Sequence, residues 1–476
     1  MDSNFSNILR QEEESPDLWK PLQKEDHYPI WPLIRFEVIT HILYKQKSLQ
    51  IAEPGRRHAG LWKKAFLRFQ ARRLHPLRSI SPGKAVVFFT KGKSLRRDPK
   101  GRWLHPQADR LIRINPSESI LIEKSHNKTI QTKGRPCRFL SYEGLDLEAH
   151  KCSRNDRKSK SLERLSREYV RKVENSFCMP MGGAFLDELK NTVQKICAKT
   201  REYDRLNREL FENLRPQMAI FEDAHYGDMM PLVRAANQAG VLTAEIQHGI
   251  LDANHPAYNM AEGTRQRLNH AELLPTHFLV WGKYWAEKVH PSISTILVGR
   301  EVEQHNSSRT KSSSGGRCLL VISSGCSVQI LNSILPRLAS ELVPLGWKIR
   351  LRPHPVERNE VGRLFPAVGQ ILGLELDPRL FVGESLREVD CVLGDFSTVL
   401  YEAAAMNLPV ILLKNEGSKM YSDQRLGSWA QDADEVCRLI IAGLKPGIGI
   451  QATELEDPLG LENFQKFLNQ TIGAES

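Results

Sequence analysis

The sequence lacks the features that mark membrane-spanning, secreted and zinc-binding proteins. No apolar run of about 18 residues occurs in the chain, so we expect no membrane-spanning helix. The eight cysteines are scattered without a Cys-x-x-Cys pair, which argues against a zinc site and a disulfide framework and indicates a reducing compartment. The first residues, MDSNFSNILRQEEESPD, lack the basic-then-apolar order of a secretory signal. We therefore expect a cytoplasmic protein.

Acidic residues are the minority among the charged ones. Lys and Arg outnumber Asp and Glu by 67 to 56, a net charge of +11, and the excess is concentrated between Arg56 and Lys172. Such a surface suits nucleic acid, anionic lipid head groups or a phosphorylated substrate, or it is a solvated face without a partner. No zinc-finger or RNP-type motif occurs, so we expect no nucleic-acid partner. An anionic membrane surface stays among the expected partners, with the chain peripheral on it.

The 476 residues are enough for two domains of about 200 residues each. We interpret residues 1–80 as a helical or irregular lead-in. Short apolar runs predict strands at 84–92 and 118–125. Apolar residues at helical spacing predict a long helix from about 186 to 214, which ends there because a residue before proline, here Pro216, disfavours helix.

From residue 218 onward, strands and helices alternate as they do in parallel sheets. A first run predicts strands at 218–223, 242–249, 277–282 and 294–299. A second run predicts strands at 317–323, 347–355, 379–383, 390–395 and 408–414. Between them, residues 301–316 are polar, rich in Ser and without period, which predicts a linker. The expected fold class is α/β, with two Rossmann-like domains, 81–300 and 317–476, facing across a cleft.

Ligands of open α/β sheets bind at the carboxyl ends of the strands, so the residues that follow each strand are the informative ones. Ser397 and Thr398 open the helix after the strand at 390–395, where unpaired backbone N–H groups attract phosphate. The plain alternative is that Ser397 only caps its helix. Glu402, one turn later, is a candidate acceptor for ribose hydroxyls or else an exposed helix residue.

Two more strand ends in the second half carry candidate phosphate contacts. His354 follows the strand at 347–355 with Arg352 beside it, and a histidine there can donate to a phosphate oxygen and stabilise a leaving group. Ser323 and Ser324 follow the first strand of this half and could approach phosphate through their hydroxyl groups. These residues predict a donor site in the C-terminal half.

The first half offers candidates for a base. Glu222, Asp223 and His225 follow one strand and His248 follows the next, and adjacent parallel strands lie about 4.8 Å apart. An inverting transfer needs a group that takes the proton of the acceptor hydroxyl. Side chains alternate along a strand, so Glu222 and Asp223 cannot face the same way. We favour Asp223, which comes later and clears the sheet, with His248 as the second choice.

Five segments in this order resemble those of a known group: EIQHG, VWGKYW, ILVG, LRPHP and GDFSTVLYEAAAMNLPVI. They look like the GT-B glycosyltransferases that build bacterial surface polysaccharides. The most similar members are capsule and lipopolysaccharide enzymes, bacterial sialyl- and polysialyltransferases, and CDP-glycerol glycerophosphotransferases. The resemblance covers roughly residues 217–415.

By this resemblance, the acidic pair Glu222-Asp223 holds the base, His354 contacts the nucleotide phosphate, and Ser397-Thr398 holds that phosphate. The resemblance implies a glycosyltransferase that moves a sugar from a nucleotide sugar, a CMP-sugar being favoured, to a glycan or a lipid-linked acceptor. No Asp-x-Asp motif occurs in the context of a metal-dependent transferase, so we expect neither a metal nor a cofactor.

Three other interpretations remain open. A transferase of CDP-activated glycerol or polyol phosphate would use the same His-Pro and hydroxyl motifs. An epimerase of the same fold would act on a nucleotide sugar without an acceptor. A non-catalytic peripheral membrane protein would have lost the residues at the strand ends, and their presence argues against it.

Overall fold

The structure is a computed structural model of the 476-residue chain. It describes residues 3–23, 28–46, 61–79, 83–97, 101–125, 129–132, 134–153, 159–300, 317–379, 381–447 and 449–472. The predicted linker at 301–316 lies outside the described residues. Within the described ranges, no helix is both long and apolar enough to cross a bilayer.

The N-terminal half is built on a seven-stranded parallel sheet. Its strands are β1 (Val86–Lys91), β4 (Ser119–Lys124), β5 (Arg138–Ser141), β6 (Met218–Glu222), β7 (Leu242–Ile246), β8 (His277–Val280) and β9 (Ser294–Leu297). They lie in the order β5-β4-β1-β6-β7-β8-β9. A short antiparallel hairpin of β2 (Arg96–Arg97) and β3 (Trp103–Leu104) follows β1. The central strands are buried and apolar because helices cover both faces of the sheet.

The C-terminal half is built on a separate six-stranded parallel sheet. Its strands are β10 (Arg317–Ile322), β11 (Trp347–Arg352), β12 (Leu374–Leu376), β13 (Cys391–Gly394), β14 (Val410–Leu413) and β15 (Ser428–Ala430). They lie in the order β12-β11-β10-β13-β14-β15. Since β6 and β10 belong to different sheets, the chain has two Rossmann-like halves. The predicted α/β, GT-B class is confirmed.

Helices connect the strands and cover the sheets. In the N-terminal half they are α1 (Ser3–Glu13), α2 (Trp31–Gln46), α3 (Leu61–Arg73), α4 (Pro76–Ser79), α5 (Ala108–Ile112), α6 (Glu143–Cys152), α7 (Lys160–Ser176), α8 (Gly183–Leu214), α9 (Met230–Gln238), α10 (Glu262–His270) and α11 (Lys283–Ala286). Later in the chain follow α12 (Val328–Leu342), α13 (Val361–Leu364), α14 (Val382–Arg387), α15 (Thr398–Ala405), α16 (Glu416–Tyr421), α17 (Ala433–Ile441), α18 (Ala452–Leu455) and α19 (Gly460–Ile472). The long predicted helix is α8.

The strand predicted at 379–383 is wrong. Phe381 donates its backbone N–H to Glu384 at 3.4 Å, and the helix α14 begins at Val382, so this segment starts a helix. The strand of this region is β12 instead, which is too short to have a clear period of its own.

The last helix, α19, packs on the N-terminal sheet. Its Phe464, Phe467 and Leu468 join an apolar cluster with residues of β1, β6, β7 and β8. The C-terminal domain expected at 317–476 therefore differs from the structure at its end, because the apolar side of α19 covers the other sheet. Trp285 and Tyr401 also connect the halves, with ring centroids 4.9 Å apart in a shared core.

The lead-in is a helical layer over the N-terminal half. Apolar side chains of α1 and α2 pack with those of α7 and α8 in one buried cluster. Within it, Arg35 of α2 is buried and pairs with Glu12 of α1 at 2.7 Å. This layer covers one side of the cleft, and α2 contributes walls to both cavities described below.

Candidate functional site

A cavity of about 860 Å³ lies in the cleft at the carboxyl ends of the strands and is lined by both halves. All seven residues predicted for the donor site line it: Ser323, Ser324, Arg352, His354, Ser397, Thr398 and Glu402. They come from loops that follow β10, β11 and β13 and from the start of α15. The structure thus brings the sequence-predicted donor residues together in one place, which we call the first cavity.

His354 is held close to the loop that follows β10. A Cβ atom on Gly325 would lie 3.3 Å from the imidazole, and Gly325 has a φ of +87°, so a residue without a side chain is needed there. Val356 donates its backbone N–H towards Nδ1 of His354 at 3.4 Å. Burial lowers the pKa of His354, and Arg96 lowers it further. The ring is therefore neutral at pH 7, with Nε2 as the protonated donor.

Ser323 supports the His354 loop from beneath. The hydroxyl of Ser323, which is buried, donates to Glu357 Oε1 at 2.9 Å, and Glu357 Oε2 accepts the backbone N–H of His354 at 2.8 Å. Ser324 donates in turn to Asp395 at 3.0 Å. Both hydroxyl groups are engaged inside the protein, so they position the loops rather than reach into the cavity.

Two hydroxyl residues at the start of α15 line the first cavity, and they have different roles. Ser397 caps the helix, because its Oγ accepts the backbone N–H of Val399 at 3.3 Å. Thr398, the first helical residue, has its side chain on the cavity wall. The helix N-terminus and the Thr398 hydroxyl together offer donors to an anion.

Arg352 and Glu402 each have a partner within the protein. The guanidinium of Arg352 bonds to Asp377 and donates to Ser385 Oγ at 3.2 Å. Glu402 pairs with Arg300 at 2.8 Å, which joins the start of α15 to the end of the N-terminal half. The Arg300 guanidinium also lies over the ring of Trp281, 4.7 Å from its centroid.

Besides Arg97 and Arg300, the structure adds two more arginines that the sequence interpretation did not assign to the site. Arg96, on the β2–β3 hairpin of the N-terminal half, and Arg358, after the His354 loop, both line the first cavity. Desolvation in the cleft lowers the pKa of Arg96, and the like charges of Arg300 and Arg352 lower it further. Like charges held this close destabilise one another, and an anion between them relieves the repulsion. The only sequence signal for Arg96 was its place in the basic region.

A second cavity, of about 1440 Å³, lies in the N-terminal half. It shares four wall residues with the first: Phe36, Thr40, Tyr44 and Tyr226. Six lysines line it: Lys45, Lys91, Lys93, Lys124, Lys195 and Lys199. Its carboxylates are Glu37, Asp146, Glu188, Asp223 and Asp228. The two cavities are neighbours with a common wall, and charged groups surround the second one.

Asp223 lies in the wall of the second cavity, among three basic groups. Its Oδ2 is 3.0 Å from Lys91 Nζ and 2.6 Å from Lys93 Nζ, and its Oδ1 is 3.0 Å from His248 Nδ1. Its backbone is left-handed, with a φ of +58°, which turns the chain sharply after β6. Burial acts to raise the pKa of Asp223, but these neighbours outweigh it and hold the pKa well below its ordinary range.

His248 itself lines neither cavity, although residues next to it line both. Its neighbours Asp223 and Tyr226 line the second cavity, and Gly249 after it lines the first. The turn is fixed by Gln247, whose side chain donates to Gly249 O at 2.9 Å and accepts the backbone N–H of Trp281 at 2.8 Å. The His248 side chain keeps 21% exposure.

Glu222 and His225 do not reach the cleft. Glu222 is fully buried and lines neither cavity; it accepts the backbone N–H of Lys91 at 2.6 Å and lies 3.0 Å from His105 Nε2. His225 is buried too and bonds to Glu245. Glu222, a residue of the predicted site, therefore lies outside both cavities, where it holds β1 through the backbone N–H of Lys91.

Further titratable groups of the first cavity were missed from the sequence. Burial raises the pKa of Asp252 to about 7, and it raises the pKa of Glu456 to about 7 as well. Burial lowers the pKa of His255 to about 3. No pattern marks these residues, which come from loops. Among the described residues, no three His, Cys, Asp or Glu side chains are arranged to hold a metal ion.

The sequence matches no protein-family model, and no curated protein is similar to it. Among solved structures, it is similar to a UDP-GlcNAc 2-epimerase from Methanocaldococcus jannaschii, with 10% identity over 81% of this chain and 99% of that one and a TM-score of 0.46. It is also similar to the UDP-GlcNAc 2-epimerase from Neisseria meningitidis bound to UDP-GlcNAc, with 13% identity over 81% of this chain and 99% of that one and a TM-score of 0.44. A third similar structure is the glycosyltransferase SnogD from Streptomyces nogalater, with 12% identity over 82% of this chain and 96% of that one and a TM-score of 0.39. Similarities of this size do not define the reaction of this chain.

Proposed function

We propose that this chain is a glycosyltransferase that binds a nucleotide sugar in the first cavity and its acceptor in the second. The observation that carries the proposal is the common wall of the two cavities, with the Asp223–His248 pair beside it. A transferase needs two substrate sites and a base between them, and two neighbouring cavities support this proposal. With the sequence resemblance, we further propose a role in surface polysaccharide synthesis, as a cytoplasmic protein that is peripheral on the membrane.

The donor we propose is a nucleoside diphosphate sugar. Arg96 and Arg358 line the first cavity together with the Nε2–H donor of His354 and the Thr398 hydroxyl at the start of α15, and Arg352, bonded to Asp377, adds its positive charge to the same wall. This number of cations and donors suits two phosphates rather than the single phosphate of a CMP-sugar. The positive groups therefore favour a nucleoside diphosphate sugar over the CMP-sugar expected from the sequence.

The acceptor we propose is a glycan, free or lipid-linked, that carries a negative group. Aromatic side chains of the second cavity, among them Tyr142, Phe185 and Tyr203, offer broad faces to sugar rings. Four of the six wall lysines pair with carboxylates of the same wall, which leaves fewer cations for a carboxylate or a phosphate of the acceptor. Lys195, exposed at this wall on α8, is a candidate contact for that group.

The base we propose is His248, with Asp223 as its positioning residue. Asp223 is a poor base because its pKa lies far below neutral, whereas a carboxylate beside Nδ1 can orient the imidazole. In the reaction, Nε2 of His248 takes the proton of the acceptor hydroxyl, the oxygen bonds to the anomeric carbon, and the bond from that carbon to the nucleotide phosphate breaks. His354 and Arg96 stabilise the charge that develops on the phosphate.

A nucleotide-sugar epimerase is the main competing function, because it needs the first cavity and no acceptor. The second cavity and its lysines favour a two-substrate reaction. Transfer of a glycerol or polyol phosphate from a CDP-activated donor would use the same two cavities, and only the products separate it from sugar transfer.

The test is a nucleotide screen followed by product analysis. We expect UDP, CDP, GDP or dTDP to raise the melting temperature of the protein more than CMP does. The matching nucleotide sugar is then incubated with and without acidic glycan acceptors. Release of nucleotide that depends on acceptor supports transfer. Conversion of the sugar without acceptor would show an epimerase, and binding of none of the nucleotides would refute the donor site.

A further inference from the structure

The helix α3 carries a stripe of exposed aromatic side chains. Trp62 is 89% exposed, and Phe66 and Phe69 are each 61% exposed. Residues at spacings of four and seven lie on one side of a helix, so the three form a continuous surface, which we call the α3 stripe. They are the only aromatic members among the exposed large apolar residues of the described chain.

The α3 stripe has no part in the packing of the described residues. Leu67 and Ala71, on the other side of the helix, are buried in a cluster with Ile130 and hold α3 to the domain. Large apolar side chains left in water forgo the stabilisation that burial would bring. Three such side chains on the outward side of one helix indicate a surface that binds a partner.

The charge of α3 identifies the kind of partner. The helix sequence LWKKAFLRFQARR has five Lys and Arg residues and no Asp or Glu. Arg68, Arg72 and Arg73 are exposed beside the stripe. An aromatic side with basic flanks suits a partner that combines dense negative charge with an apolar interior, and an anionic bilayer has both.

We propose that α3 docks the protein on membranes that contain anionic lipid. Trp62, Phe66 and Phe69 enter the boundary between head groups and acyl chains, while Arg68 and Arg72 contact lipid phosphates. The helix lies in the interface plane and does not span the bilayer. Docking of this kind does not depend on which reaction the chain catalyses.

The position of α3 links membrane docking to the second cavity. The helix packs against α6, and Tyr142 and Asp146 at the start of α6 line the second cavity. A membrane bound by α3 therefore lies close to the proposed acceptor site, which suits a lipid-linked acceptor. This consequence, unlike the docking, rests on the proposed function.

The test is co-sedimentation of the full chain with vesicles. We compare phosphatidylcholine vesicles with vesicles in which about a third of the lipid is phosphatidylglycerol, at low and high salt. The parent should sediment only with the anionic vesicles and less as salt rises. The triple variant W62S/F66S/F69S should bind at least tenfold more weakly, and so should R68E/R72E, which tests the basic flank separately. The matched control is L372A, which removes an 86% exposed side chain of the C-terminal half.

Each other outcome overturns the proposal. Unchanged binding of both variants would show that another surface docks, and equal binding to both kinds of vesicle would remove the role of charge. A parent dimer that becomes monomeric in the triple variant, without vesicle binding, would show that the stripe joins two copies. Melting temperatures with nucleotide serve as the independent readout, since the variants leave the first cavity intact and a failed donor site would affect the parent too.

Discussion

Asp223 Oδ1 lies 3.0 Å from His248 Nδ1, and the two residues follow the adjacent parallel strands β6 and β7. The backbone of Asp223 is left-handed, and Gln247 fixes the turn before Gly249, so both side chains are held by their own strand ends. The carboxylate therefore lies beside one ring nitrogen of His248, and in the proposed reaction the other nitrogen takes the proton of the acceptor hydroxyl.

The first prediction concerns this pair. His248→Ala should lower transfer by about a hundredfold to ten-thousandfold, the usual contribution of a general base, and leave nucleotide binding intact. Asp223→Asn should lower transfer less, because the base remains but is less well oriented. The double variant should be no worse than His248→Ala if the residues act as a unit. The measurements are turnover and nucleotide affinity.

His290→Ala is the control for the first prediction, since His290 is a partly exposed histidine of the same half that lines neither cavity. If Asp223→Asn abolishes transfer while His248→Ala retains it, the carboxylate is the base, as first expected from the sequence. If neither variant loses activity, the reaction does not pass through this pair.

The second prediction concerns His354. Replacing it with Ala should lower turnover by roughly tenfold to a hundredfold, because a hydrogen bond to a charged phosphate contributes about 1.5–3 kcal/mol. The melting temperature should stay close to that of the parent, since the fold relies on Glu357 to hold the loop. Gly325→Ala should reproduce part of the loss by pushing on the ring. A lowered melting temperature with unaltered turnover would make His354 structural.

The third prediction tests the phosphate site from the other half of the molecule. Arg96→Ala should weaken the binding of a nucleoside diphosphate by about tenfold, and that of the monophosphate by less, because the lost charge acts on the distal phosphate. Titration calorimetry with the two nucleotides measures this difference. Arg208→Ala, which removes an exposed charge of α8 away from both cavities, should change neither affinity. An equal loss of affinity for both nucleotides would mean that Arg96 acts only through long-range electrostatic attraction and not on the distal phosphate.

The fourth prediction is a dependence of stability on pH. Burial raises the pKa of Asp252 from its ordinary value to about 7, so the folded chain keeps this group protonated where the unfolded chain ionises it. The unfavourable contribution thus grows as the pH rises from about 4 to 7. Asp252→Asn should therefore stabilise the protein more at pH 8 than at pH 5, by at most about 2–3 kcal/mol.

Asp423→Asn should change stability with a pH dependence opposite to that of Asp252→Asn. Although burial acts to raise the pKa of Asp423, its bonds to Arg425 and Tyr284 outweigh this and lower the pKa. This carboxylate stabilises the fold at neutral pH and loses that effect in acid, so the variant should be destabilised most at neutral pH. Melting curves at pH 8 and 5 measure Asp252→Asn, whereas Asp423→Asn needs curves at neutral pH and well below the ordinary carboxylate pKa of about 4. An equal gain of Asp252→Asn at both values would contradict the burial of its charge.

The positions of most strands along the chain and the candidate donor residues could be predicted from the sequence, because both follow from local patterns. Short apolar runs separated by helical segments define parallel strands, and parallel strands bring their carboxyl ends to one edge. His354, Ser397 and Thr398, which were selected in this way, all line the first cavity. The segment 379–383 was not, since a bond from Phe381 to Glu384 commits it to a helix.

The amino-acid sequence by itself determined the two α/β halves and the edge at which each candidate residue lies. Only the tertiary structure decided which of them share a cavity. Glu222 and Asp223 are neighbours in sequence, yet one is buried under His105 and the other lines the second cavity. Arg96 is brought beside His354 and Arg352 by the packing of the two halves, across more than 250 residues of sequence. Contacts of this kind depend on how whole sheets face each other, and no local spacing encodes that.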